Sequence, residues 1–471
     1  MHRNNVRIRS TQKSLISSLL AFTILFSILT INISILDVSA EPTLQWQQGL
    51  DVGKNDEASA IGLDEEGYIY AIGNTGPLKE ANDVFLLKYD PSGNLQQGWP
   101  IIWDSGEHEW ALDLVIGPDD YLYVVGFTYI PLSPNDVFIL KYDKSGNLQS
   151  GWPIFWHADV MVDIYDMEID EFGNIYIAGN TRTGDDPYNT FILKFDSEGN
   201  IVEGWPIIWD SGSTDVARIV ALSPDGHIYL SGDTRSEENP WNVFLLKYDS
   251  TGKVLPGWPI IWDSGSPDWS FGMTLDPNGN IYLTGFTAHG DNPANVFLLK
   301  YDSSGNLQPG YPVYWDSGVR ETIREHQQFG EDRAFEVKTS LEGDVYLVGS
   351  TTLGDNPFDI LILKYDSSGN LQPGYPIYFD SGGSDDAFGI EIDEAQNIYI
   401  AGHMGPYAGA KDVLILKYHD EPTIGFSSSL FDFSDFRIQL MIIAIIIIIG
   451  ILFWIIYSRW HRRRTRKKSR K

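Results

Sequence analysis

Between about residue 43 and residue 420 the chain is built from short apolar runs, each four to eight residues long, broken by clusters of Gly, Asn, Asp and Ser. Runs of that length between turn residues read as strands rather than helices. One stretch shows the pattern in full. Ala111–Ile116, Tyr121–Thr128, Asp136–Tyr142 and Gln149–Trp156 are four strand-like runs in succession. Asp143-Lys144-Ser145-Gly146-Asn147 joins the third to the fourth. It predicts a tight hairpin with Gly146 at a left-handed position.

The pattern recurs with a fixed period. Tyr70, Tyr123, Tyr176, Tyr229, Tyr282, Tyr346 and Tyr399 are separated by 53 residues at every step but one, where the spacing is 64. A Gly follows each Tyr by three positions: Gly73, Gly126, Gly179, Gly232, Gly285, Gly349 and Gly402. An Asn or Asp opens the third run of each unit (Asp83, Asp136, Asn189, Asn242, Asn295, Asp359, Asp412), and a Lys recurs at 88, 141, 194, 247, 300, 364 and 417. Seven units of four short strands predict an all-β fold, a seven-bladed β-propeller with four-stranded blades. Six units carry Trp-Pro or Tyr-Pro in the fourth run, from Trp99-Pro100 to Tyr375-Pro376. Proline cannot donate to a ladder, so this run belongs on the outer edge.

The seventh unit stops at Tyr418-His419-Asp420 without a fourth run. The segment Trp46–Gly53, ahead of the first unit, aligns in phase with Trp99–Gly106. An N-terminal strand that completes the last blade would close the ring, which an open solenoid would not need. The pattern DxxGNIYIAG…DVFLLKYDxSGNL, spread over about Thr43 to Asp420, resembles the prokaryotic β-propeller repeats called SBBP and the related delta-sixty repeat. That resemblance implies a propeller in an exported protein. It implies no particular activity, and the Gly-Trp-Pro outer run and single anchor depart from it.

The two ends add a membrane context. Residues 1–40 read as a signal peptide or uncleaved anchor, with Arg3, Arg7, Arg9 and Lys13 ahead of an apolar stretch and Val38-Ser39-Ala40 as a cleavage site. After a linker at 421–437, residues 438–457 form a 20-residue apolar segment, long enough at about 1.5 Å per residue to span a bilayer core of about 30 Å as a helix. Nine of the thirteen residues from Arg459 to Lys471 are basic, which places the tail at 458–471 in the cytoplasm and the body outside the cell.

Charge narrows the partners. The chain carries a net charge of −31, but residues 41–436 alone hold 19 basic and 63 acidic side chains, a net charge of −44. Such a body repels phosphate backbones, so nucleic acid is not an expected partner. An extracellular protein, a glycan or a cation is. The absence of Cys removes disulfides, thiolate metal sites and a cysteine nucleophile.

Candidate sites gather on the face that carries the long loops. An acid begins the inner strand in six units: Asp56, Glu109, Asp215, Asp268, Asp332 and Asp385, with Val162 and Asp163 in the remaining one. These suit a carboxylate ring binding a hard cation such as Ca²⁺, or a bond to a neighbouring blade's backbone that every repeat needs. Aromatics follow Pro in four loops, at Tyr188, Trp241, Phe358 and Tyr407, and suggest a glycan or peptide surface or local packing. The sixth unit has 11 extra residues, near 319–329, with Arg320, Arg324 and His326. The repeated lysines read as snorkelling side chains paired with acids. No nucleophile, metal-hydrolase or nucleotide motif is present, so no catalytic residue is assigned. The expected function is a surface recognition or scaffold module. The alternatives are an extracellular polysaccharide hydrolase or lyase using acids at the channel mouth, and a structural component of the cell envelope.

Overall fold

The strands between Thr43 and His419 assemble, among the described residues, into seven antiparallel four-stranded sheets. The computed structural model describes residues 41–53, 55–76, 82–129, 134–182, 188–235, 241–288, 294–318, 331–353, 358–406 and 409–420, all within the unit Ala40–Glu421. The expected signal segment, apolar segment at 438–457 and basic tail, together with Arg320, Arg324, His326 and Tyr407, lie outside the described residues. Among the described residues no helix is long and apolar enough to cross a membrane.

The inner strands, in chain order, are Asp56–Leu63, His108–Ile116, Met161–Ile169, Thr214–Leu222, Asp268–Leu275, Arg333–Thr339 and Asp386–Ile392. Each touches the next, and Asp386–Ile392 touches Asp56–Leu63, so the ring is closed. Thr43–Leu50 is the outer strand of the last blade: Leu50 pairs with Val413, Gly49 with Leu414 and Gln48 with Ile415. In the first blade Trp103, Ile102 and Ile101 pair in the same way with Val84, Phe85 and Leu86. The segment ahead of the repeats thus occupies the place its phase predicted.

Prolines set the length of the other outer strands. The fourth run expected at Gln149–Trp156 is a strand only over Ile154–His157, after Pro153; Gln149–Pro153 instead forms a turn in which Gln149 N–H donates to Lys141 O. All six Trp-Pro and Tyr-Pro peptides are cis. The Asp-x-x-Gly hairpins are turns, as expected. Asp143 Oδ1 accepts from the Ser145 and Asn147 amides, and Gly146 has φ 86°.

The core lies between blades. Tyr399, Val413 and Ile415 of the last blade pack with Ala58, Ile69 and Phe85 of the first, with Trp46, Leu50 and Val52 laid against them. The seven periodic tyrosines are buried here, and each meets an aromatic ring of its outer strand or the turn before it: Trp99 on Tyr70, Trp152 on Tyr123, Trp205 on Tyr176, Trp258 on Tyr229, Tyr311 on Tyr282, Tyr375 on Tyr346, and Trp46 on Tyr399. The periodic lysines lie against the same rings, their ammonium groups 4.7–5.1 Å from the tyrosine centroids. Among the described residues, only Lys141 (to Asp119) and Lys364 (to Asp344 and Asp420) pair with acids in the expected way. Lys88, Lys247, Lys300 and Lys417 instead donate to carbonyls in the hairpin of the next blade, those of Lys144, Ser303, Ser367 and Pro91. The repeated Lys therefore fastens blade to blade, its ammonium donating to a hairpin carbonyl of the neighbouring blade.

Candidate functional site

The six acids that open inner strands do not converge on one ion. Asp56 Oδ2 accepts from the Val52 and Gly53 amides, Asp215 from the Ser211 amide and the Ser211 and Thr234 hydroxyls, and Asp268 from the Ser264 amide and hydroxyl. Glu109, Asp332 and Asp385 do the same with Ser105, Ser317 and Ser381. Each carboxylate thus ties down the loop that leads into its own strand. Its backbone N–H reaches the preceding blade: Asp56 to Lys411 O, Glu109 to Asn82 O, Asp215 to Tyr188 O, Asp268 to Trp241 O, Asp332 to Ala294 O and Asp385 to Phe358 O. A bond to a neighbouring blade's backbone is the feature the repeat shares. Some acidic clusters could nevertheless hold a metal ion. In three groups of three carboxylates, each containing one of the six acids, the ligand atoms lie within 4.8 Å of one another.

Tyr188, Trp241 and Phe358 occupy one repeat position, just before the third strand, where their carbonyls take those bonds. Their rings are half-buried, and Arg182, Arg235 and Arg333 stack on them at 5.4, 5.8 and 5.7 Å. Each belongs to a different blade.

The residues that do converge are ones the repeat pattern gave no reason to select. In every blade the inner strand bulges where it pairs with the second, as between Ala58 and Ala60 or Ala111 and Asp113. The unpaired residues are Ser59, Leu112, Tyr165, Arg218, Phe271, Phe335 and Phe388, all at one phase of the repeat. A bulge re-aims its side chain, and all seven line one central cavity of about 660 Å³. Phe271, Phe335 and Phe388 follow one another edge to face or tilted, at 5.6 and 5.3 Å, with His403 5.6 Å beyond Phe388. Arg218 lies 4.7 Å from Phe271 and 5.6 Å from Tyr165, held by Asp233 at 2.7 Å. The result is an aromatic and guanidinium arc around the cavity.

Beyond this arc along the strands the cavity wall is acidic. Asp113, Asp166 and Glu336 directly follow bulge residues, and Glu168, Lys338 and Glu391 come two positions later. Asp113 Oδ2 accepts from Met167 N–H at 3.1 Å, and Asp166 Oδ2 from Val220 N–H at 2.7 Å, each joining its blade to the next. Lys338 pairs with Glu391 at 2.8 Å. Desolvation, with Asp113 beside it, pushes Asp166 well above the usual carboxylate range. Desolvation raises Glu168 to about 7 and Glu336 to about 8, against the pull of Lys338. Desolvated carboxyls lining a cavity can accept a cation, share a proton, or act as acids near neutral pH. The sequence signal was faint: Asp113, Asp166 and Glu336 share a phase with Ala60, Ile219, Gly272 and Gly389.

No protein-family model matches the chain, and no curated protein matches it. Among solved structures it is similar to a protein of unknown function from Dyadobacter fermentans (10% identity, TM-score 0.46, 81% of this chain and 99% of that one). It is also similar to a puromycin hydrolase (10%, TM-score 0.45, 75% and 51%) and to the Penicillium chrysogenum α-L-arabinanase complexed with arabinobiose (10%, TM-score 0.43, 80% and 98%). At this level none of them lends an activity to this chain, which is a seven-bladed, four-stranded β-propeller repeat protein.

Proposed function

We propose that the protein is a cell-surface recognition module, anchored by its apolar segment at 438–457 and related to the SBBP-type and delta-sixty-type repeat proteins, whose propeller takes a cationic side chain of an extracellular protein into its central cavity. The observation that carries this reading is the aromatic arc lying over a carboxylate wall. Ring faces attract ammonium and guanidinium groups, and carboxylates in a cavity of low dielectric strengthen that attraction. Arg218, seated between Tyr165 and Phe271, shows that the arc accommodates a guanidinium. A hard cation such as Ca²⁺ enters this reading as a structural ion at the blade junctions, not as the ligand of the cavity.

The test is calorimetric titration of the full chain with spermidine and with a lysine-rich peptide. The titratable and charged groups of the wall are Asp113, Tyr165, Asp166, Glu168, Arg218, Glu336, Lys338 and Glu391. Because Glu168 and Glu336 titrate near 7 and 8, they are neutral at pH 6 and charged at pH 9. Affinity rises with pH across that window, and within it binding releases protons to buffer. The Glu168→Gln/Glu336→Gln variant binds about tenfold more weakly at pH 9 and loses most of the pH dependence. Equal affinity in wild type and variant would assign the binding to the acidic surface and refute the cavity.

The same carboxyls support a second reading, a polysaccharide hydrolase or lyase. Glu336, held protonated at neutral pH, is set up as a general acid beside charged neighbours. Reducing ends released from a polysaccharide panel by the wild type, and not by Glu336→Gln, would decide for it.

A further inference from the structure

Seven equivalent junctions join the blades, and their carboxylates are not treated alike. At each junction three positions meet: the first residue of a third strand, the residue after the outer strand, and the acid that opens the next inner strand. At three junctions the first position is Asn189, Asn242 or Asn295, which removes one charge. At a fourth, His157 ends the outer strand, its Nδ1 2.9 Å from Asp136, and Val162 replaces the acid. The other three junctions keep three acids each: Asp83, Asp104 and Glu109; Asp359, Asp380 and Asp385; and Asp412, Asp51 and Asp56.

In each of these three a buried carboxylate oxygen has no hydrogen-bond donor. Glu109 Oε2, Asp359 Oδ1 and Asp56 Oδ1 are without partners, and their residues are 0%, 4% and 0% exposed. A desolvated carboxylate oxygen without a donor is costly, and like charges beside it add to the cost. Burial and the neighbouring acids raise Asp83, Asp412 and Asp359, the last to about 6. A cation relieves both costs. Convergent carboxylates are the donor set of a hard, oxygen-seeking divalent ion.

We propose that these three junctions bind divalent cations of the Ca²⁺ or Mg²⁺ type, and that the ion at Asp51, Asp56 and Asp412 locks the ring shut. That site joins the closing strand through Asp51, the third strand of the last blade through Asp412, and the first inner strand through Asp56. Binding there stabilises ring closure directly, whatever the central cavity takes.

The experiment uses the full chain, stripped with EDTA and titrated with Ca²⁺ or with Mg²⁺ while its melting temperature and heat of binding are followed. Either ion raises the melting temperature, by on the order of 5 °C at saturation, with three ions bound. The larger rise identifies the preferred ion. The Asp83→Asn/Asp359→Asn/Asp412→Asn variant places at these junctions the residue that three others already carry, so its fold is compatible. It melts higher than wild type in EDTA and no longer responds to either ion. Should the triple variant fail to fold, each single variant is expected to lose one bound ion. A wild type indifferent to both ions up to about 10 mM, or variants that respond as wild type does, overturns the proposal.

Discussion

A chain lacking Thr43–Gly53 melts at least about 10 °C below the intact protein and is cut rapidly by protease in its last blade. The segment supplies seven paired residues to the strand Asp412–His419. Without it, that strand becomes an exposed edge, and the Trp46 ring leaves Tyr399, Tyr89 and the Pro91 carbonyl. Losing the half-buried tryptophan costs about 2–3 kcal/mol, and each lost ladder hydrogen bond about 1 kcal/mol more. A total above about 5 kcal/mol corresponds to a shift of roughly 10 °C or more in a large domain. Trp46→Ala, which keeps the strand, falls by about a third to a half of that. Differential scanning calorimetry decides. If the shortened chain melts with the intact one, the ring does not depend on this strand.

Gly232→Ala is expected to lose about 3–5 kcal/mol of stability. A Cβ at Gly232 would sit 2.0 Å from the Val216 carbonyl oxygen and 2.8 Å from Ala217 Cα. These atoms belong to the bulged inner strand and are backbone, so no rotamer change relieves the clash. The strand would have to move, and with it Arg218, the bulge residue that faces the cavity. The same contact recurs at Gly285 and Gly402, whose Cβ atoms would lie 1.9 Å from the carbonyl oxygens of Trp269 and Asp386. Chemical denaturation of Gly232→Ala checks the prediction, with Gly226→Ala as comparison. At Gly226 a Cβ meets no atom within 4 Å, and the cost is only that of φ 82°, about 1 kcal/mol. If the two lose equal stability, the close approach at the bulge is not the reason for the periodic glycine.

The ordering of those two glycines shows how the sequence could be read. The period marked Gly232 as necessary without saying why, and the structure supplies the reason in the bulge. The same holds for the periodic Lys. Its spacing was plain, but acids were the expected partners because the chain has so many. The hairpin carbonyls that most of these lysines reach belong to the following blade, 56 or more residues away, and no local pattern indicates them. The acids that open inner strands were found by phase for the same reason as the glycines. Both the metal reading and the backbone reading were open; the carboxylates of Asp215 and Asp268 bond the loops ahead of their own strands, and it is their main-chain N–H groups that reach the preceding blade. Among the described residues, Asp56, Glu109 and Asp385 each have two further acids crowded beside them, one opening a third strand and one just after an outer strand.

From the sequence alone came the strand count, seven units of four, the outer place of the Trp-Pro run and the strand that closes the ring. All rest on local physics: side-chain alternation, turn residues, proline's missing donor, and repetition that sums weak signals into a strong one. The tertiary structure alone decided what meets at the centre. Tyr165, Arg218, Phe271, Phe335 and Phe388 differ in kind, so they form no repeat, and Asp113, Asp166, Glu168, Glu336 and Glu391 lie on four different blades. They become one site only because the ring closes, which brings a single bulge position from every blade to a common axis.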